Sequence, residues 1–219
     1  MFGILLLLGQ QIYQQAPPIP ALVKSVSGEI LYTRDDIETG QNVWQSIGGM
    51  EQGSIWGHGS YLAPDWSADW LHREALALLD INTLQSQSSL APDQEMAMQK
   101  ALLPALMRKN TYDVTTGTIT VSDNRAIAIK QVEGHYLRLY QGSDEESLAL
   151  RRDYAFSIHG LLDAQEAKQL AAFYFWTAWG ATTNRPNDEI TYTSNWPHEP
   201  LVNNKPTTGT LMRSIASII

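Results

Sequence analysis

Residues 46–65 read SIGGMEQGSIWGHGSYLAPD, with glycine at 48, 49, 53, 57 and 59 and a Tyr-x-x-Pro-Asp turn at the end. Glycine is costly to order and is kept where φ must be positive or where another body approaches the backbone closely. The stretch predicts a loop shaped around something large. It leads into DWSADWLHREALALLDIN, where Trp66, Trp70, Leu71, Ala75, Leu78 and Leu79 recur at helical spacing and predict a helix with one buried face.

Working outward, PDQEMAMQKALLPALMRK predicts a second helix opened by Pro92 and Asp93 and bent or shortened at Pro104. YDVTTGTITVS predicts a β-hairpin turning at Thr116-Gly117, and SGEILYT a strand. A short helix follows in DIETGQNVWQSI, capped by Asp or Thr. Ser122 or Asp123 caps NRAIAIKQVEGHYLRLYQG, which Gly142 ends, and DEESLALRRDYAF continues in helix. Asp163 and Glu166 form a D-x-x-E capping pair ahead of an aromatic helix, and the tail from Thr183 is a loop punctuated by prolines. The sum is α+β, helix-dominant, with a small antiparallel β-sheet.

Composition narrows the function. The 219 residues, 43% hydrophobic, suffice for a real core. A net charge of −8 with no basic stripe excludes a nucleic-acid partner. The absence of cysteine excludes disulfides, thiolate chemistry and thioether-bound haem. The five histidines show no metal-ligand spacing, no Ser-His-Asp order or phosphate loop is present, and the paired acids Asp35/Asp36 and Glu145/Glu146 read as solvated charges. An aromatic residue at nearly every position from Phe173 to Trp179 implies burial on all sides rather than a sugar platform.

The ends suggest a membrane context. Phe2–Leu8 is an apolar run of about 10 Å as a helix, too short to span; it suits a buried helix end, an amphipathic anchor or the last turns of a membrane span, and the apolar rise at the other end favours the span. Thr210–Ile219 turns apolar again. The expected organisation is 1–12 as the end of a first membrane span, 13–26 as a Pro-rich spacer, 27–209 as the folded domain and 210–219 as the start of a second span.

Residues 40–74, GQNVWQSIGGMEQGSIWGHGSYLAPDWSADWLHRE, together with FYFWTAWGATTNRP (173–186) and YTSNWPHEPLVNNKPT (192–207), resemble the quinol-dependent nitric oxide reductases, single-chain members of the haem–copper oxidase superfamily. The resemblance implies a cytochrome-c-like helical core on the periplasmic face of the bacterial inner membrane. In two-chain relatives a small cytochrome c chain carries C-x-x-C-H and then G-E-G-A-Y-x-A-P-E. Aligned on GHGSYLAPD, the two Cys and the His fall on Gly49, Gln52 and Gly53, so the loop is expected to lack haem. The resemblance also implies calcium-facing roles for Gly59 and Tyr61, with His58 where the relatives carry Glu, and an interface formed by His58, Trp196, His198 and Glu199. It implies a parent enzyme that reduces two NO to N2O with electrons from quinol. Its haem b, haem b3 and non-haem iron would be held by a transmembrane part outside this chain, leaving the fragment without a catalytic residue or activity of its own. Two other readings stand beside it: a free periplasmic module binding a sugar or peptide through aromatic residues, and a relic binding haem noncovalently through His58.

Overall fold

The computed structural model describes residues 16–57, 59, 64–154, 156, 162–210 and 212. In chain order these form β1 (Leu22–Ser25), β2 (Ile30–Thr33), α1 (Arg34–Ser46), α2 (Trp66–Gln85), α3 (Pro92–Arg108), β3 (Tyr112–Asp113), β4 (Thr118–Val121), α4 (Asp123–Gln141), α5 (Glu145–Asp153) and α6 (Ala164–Thr182), with 3-10 turns at Gly49–Glu51 and Pro200–Val202. The helix-dominant α+β class agrees with the sequence reading. The expected membrane-span ends fall mostly outside the described residues, and no described helix is long and apolar enough to cross a membrane.

Local signals place the helices. Thr33 caps α1 and closes a capping box with Asp36, one turn earlier than the helix expected from Asp36. Asp65, Ser122 and Asp144 cap α2, α4 and α5 through their side chains, and Asp163 with Glu166 forms the expected capping box of α6. Pro92 opens α3, which runs through Pro104 to Arg108 rather than ending there. The missing N–H at Pro104 removes one backbone bond, and burial of Leu103 and Met107 on either side offsets it.

The aromatic helix α6 is the centre of the molecule. Phe173, Tyr174, Phe175 and Trp179 are all buried, as the sequence implies, and α6 packs against α1, α2 and α4. The α1–α6 approach depends on Gly40. A Cβ there would lie on the Gln169 carbonyl group and 2.9 Å from Phe173 Cβ.

The sheet corrects the sequence reading. Its order is β2-β1-β4-β3; β1–β2 and β3–β4 are antiparallel, but the central pair β1–β4 is parallel, so the sheet is mixed. A parallel pair needs a long crossover, supplied here by the helices between Thr33 and Thr118, whereas pattern reading detects only neighbours joined by a turn. The central strand β1 lies within the stretch expected to be a Pro-rich spacer. Val23 pairs with Tyr32 on one side and Ile119 on the other, and all three are fully buried. The spacer is anchored further by the Trp176 indole, which donates to the Pro18 carbonyl at 3.0 Å.

Candidate functional site

The glycine loop between α1 and α2 is closed at its base by two backbone bonds, from Ser54 N–H to the Pro64 carbonyl (3.1 Å) and from Trp66 N–H to the Ser54 carbonyl (2.9 Å). One carboxylate organises what lies inside. Asp65 Oδ2 accepts from the Ser54 hydroxyl at 2.8 Å and from Gly57 N–H at 2.6 Å, while its Oδ1 accepts from Ala68 N–H at 3.0 Å. The cap of α2 is therefore also the anchor of the loop. Ser54 Oγ in turn accepts from Gly59 N–H at 2.8 Å, and the Trp56 indole donates to the Thr177 carbonyl on α6 at 2.8 Å. Nothing in the local sequence distinguishes Asp65 from an ordinary N-cap, because its loop partners lie upstream and meet it only when the loop closes.

Gly53 marks where the loop meets the interior. Its φ is +145°, and a Cβ would lie 2.7 Å from both the Pro64 carbonyl oxygen and Trp66 Cε2. Trp66 is fully buried and stacks on Tyr174 with ring centroids 5.1 Å apart. Tyr136, Tyr140, Tyr154 and Phe156 surround it at 5.7 to 6.5 Å. The space behind the loop is thus packed with aromatic rings. Gly49, Gln52 and Gly53 offer neither thiol nor imidazole, so neither the donor set nor the packing fits a covalently attached haem. Among the described residues no cluster of three or more His, Cys, Asp or Glu is arranged to hold a metal. His58 and Tyr61 lie outside the described residues.

The tail loop folds back over this region. The Trp196 indole donates to the Gly57 carbonyl at 2.8 Å and joins the two loops directly; the Trp196–Pro197 peptide bond is cis. Glu199 is buried and turned toward α2: Oε2 meets His72 Nδ1 at 2.8 Å, and Oε1 accepts from Leu201 N–H at 2.9 Å. His198 is exposed, with Nδ1 on the Asn204 carbonyl at 2.9 Å. Asn204 is fully buried and holds the loop together, donating to the carbonyls of Ala181 (3.0 Å) and Pro197 (2.7 Å) while accepting from Arg108 (3.0 Å). Of the residues singled out in the sequence, Trp196 reaches the glycine loop, Glu199 turns inward and His198 faces solvent. Asp65, His72 and Asn204 lie inside the quoted stretches, but no sequence signal assigns any of them a role at this site.

Two of the rings around Trp66, Tyr136 and Tyr154, also belong to a polar cluster centred on Asp69. Asp69 accepts from Tyr136 OH (2.7 Å), Tyr154 OH (3.1 Å) and Arg73 Nε (2.8 Å). Burial and the adjacent carboxylate push the Tyr154 phenol up to about 12, so it remains a proton donor. His135 is pushed down to about 4, first by burial and then by Arg73, and is neutral at pH 7.

No curated protein matches the chain. The family model for the cytochrome c-like domain of the nitric oxide reductase protein NorB matches residues 20–198, from the spacer to the proline-flanked histidine. That span takes in the sheet, the closed glycine loop and the aromatic helix, and the chain belongs to the family of NorB cytochrome c-like domains of nitric oxide reductase.

Proposed function

We propose that this domain is the hydrophilic, periplasmic part of a quinol-dependent nitric oxide reductase, lying on the membrane face between spans that end within 1–12 and begin within 210–219. It caps redox centres held by the transmembrane part of the same enzyme and has no activity alone. The observation that carries this reading is the glycine loop. In a cytochrome c-like domain, the positions at which the resemblance places haem attachment are Gly49, Gln52 and Gly53, and Trp66 fills the space behind Gly53. A domain of this family that offers no thioether or axial ligand there has no c-type relay to offer, and quinol in the membrane is then the electron source. In the parent enzyme, haem b, haem b3 and non-haem iron supply the reduction of two NO to N2O. This chain supplies a rigid cover, with Gly59 and Tyr61 as oxygen donors toward a calcium ion, and with His58, Trp196 and His198 facing the transmembrane part, while Glu199, turned inward onto His72, holds the tail loop in place.

The test is electron-donor specificity in the enzyme encoded by the whole reading frame. Turnover of NO with a reduced quinol, and none with reduced cytochrome c, is the expected result. Turnover driven by cytochrome c and not by quinol would overturn the reading, as would a reading frame that closes without hydrophobic spans.

A further inference from the structure

On the side of the molecule formed by the end of α3, the β3–β4 hairpin and the start of the tail loop lies a cavity of about 610 Å³. Its wall carries three cations, Arg108, Lys109 and Arg185, and two phenol rings, Tyr112 and Tyr192, beside Pro186. In a chain of net charge −8 this concentration of positive charge stands out. Among the described residues, none of the three cations has a carboxylate within ion-pairing distance. Arg108 is held instead by neutral groups: the Asn204 and Asn195 side-chain oxygens at 3.0 and 3.1 Å and the Glu189 carbonyl at 2.7 Å. Arg185 donates to the Tyr192 carbonyl at 3.0 Å. The acid acting on Arg108 is the exposed Glu189, whose attraction does not outweigh burial, which lowers the guanidinium's affinity for its proton. Lys109 is exposed at the rim.

Two guanidinium groups fixed by neutral acceptors, with an exposed ammonium beside them, leave the cavity wall with positive charge that no carboxylate pairs among the described residues. The rings add an apolar surface. Tyr192 and Tyr112 pack on Trp179 with centroids 5.5 and 6.4 Å apart, so they are held in place by the core rather than left to collapse into the space. We infer that this cavity is a binding site for an amphiphilic organic anion, a phosphate or carboxylate head met by Arg108, Lys109 and Arg185 and an apolar body seated against Tyr112, Tyr192 and Pro186. A phospholipid headgroup and a free organic phosphate share this chemistry. Ala16 also lines the cavity and follows the apolar run ending at Leu8 by only a short stretch of chain.

Calorimetric titration of the 219-residue chain with phenyl phosphate, inorganic phosphate and benzyl alcohol tests the site. Phenyl phosphate should bind saturably and more tightly than either of the others, and the affinity should fall as salt rises. Lys109→Glu and Val114→Glu, both changes at exposed rim positions, should each weaken it about tenfold, whereas Lys168→Glu on the exposed side of α6 should leave it unchanged. Vesicles containing phosphatidylglycerol identify the source. Competition with phenyl phosphate assigns the site to lipid headgroups, and its absence assigns it to soluble anions. Equal affinity for benzyl alcohol, or insensitivity to both rim substitutions, would overturn the inference, as would a lack of saturable binding to phenyl phosphate and to vesicles.

Discussion

Replacing Gly53 by alanine tests whether the interior behind the glycine loop belongs to Trp66. The residue holds φ +145°, a region open essentially to glycine alone, and forcing alanine into it costs about 1–3 kcal/mol. The new methyl group would also be driven against Trp66 and the Pro64 carbonyl, each with an atom at 2.7 Å. Overpacking of that kind costs about 1–3 kcal/mol more. Gly53→Ala should therefore lose about 2–6 kcal/mol in total, read from guanidinium unfolding followed by far-ultraviolet circular dichroism. Trp66→Phe alone leaves a void and should cost roughly 2–4 kcal/mol. In the double variant the smaller ring makes room for the methyl group. Its loss should then fall short of the sum of the two single losses by about 1–3 kcal/mol, since residues in contact couple. Additivity within ~0.5 kcal/mol, the behaviour of independent sites, would refute the argument that Trp66 occupies the space to which the loop is shaped.

Two helical glycines should respond with opposite signs in thermal melts. Gly134→Ala, with nothing within 4 Å of the new Cβ, should gain about 1 kcal/mol of helix propensity, whereas Gly40→Ala should lose about 1–3 kcal/mol by pressing on the Gln169 carbonyl of α6. The buried pair Arg125 Nε–Glu74 Oε1 at 2.6 Å also receives the Trp70 indole at 2.8 Å. Glu74→Gln should cost about 3–5 kcal/mol by leaving Arg125 buried without a counter-charge, and Glu74→Leu combined with Arg125→Met should recover most of it in the same denaturation assay. His135 takes up its proton near pH 6.5 in the unfolded chain but only near 4 when folded, because burial and Arg73 oppose the charge. Between those values the unfolded state binds more protons, so stability should fall as pH drops from about 6.5 to 4 and stay level above about 7. Allowing for screening of a partly exposed ring, the loss is about 1–2 kcal/mol. His135→Gln should remove it from the difference between the two denaturation profiles measured over about pH 4–8.

The local framework of this protein was legible in its sequence. The spacing of Trp66, Trp70, Leu71, Ala75, Leu78 and Leu79 marks the buried face of α2, and the six are buried as that spacing requires. The capping pair at Asp163 and Glu166, the stop at Gly142 and the hairpin at Gly117 act through bonds between residues a few positions apart, so a short window contains the whole interaction. The missing cysteines settle the attachment chemistry without any structure. The parallel β1–β4 pair is a different matter, because its partners are separated in the chain by β2, α1, α2 and α3. Likewise, Asp65 reads as one more helix cap until Ser54 and Gly57 fold back onto it, and Trp196 meets Gly57 across most of the length of the domain. Arg108 at the end of α3 and Arg185 beyond α6 converge on one cavity although most of the second half of the chain lies between them. Caps, turns and helix faces follow from the chain's own periodicity and from hydrogen bonds made locally. Strand partners and the walls of a cavity depend on which distant surfaces are brought together once loop-closure entropy has been overcome, and only the packing around α6 decides that.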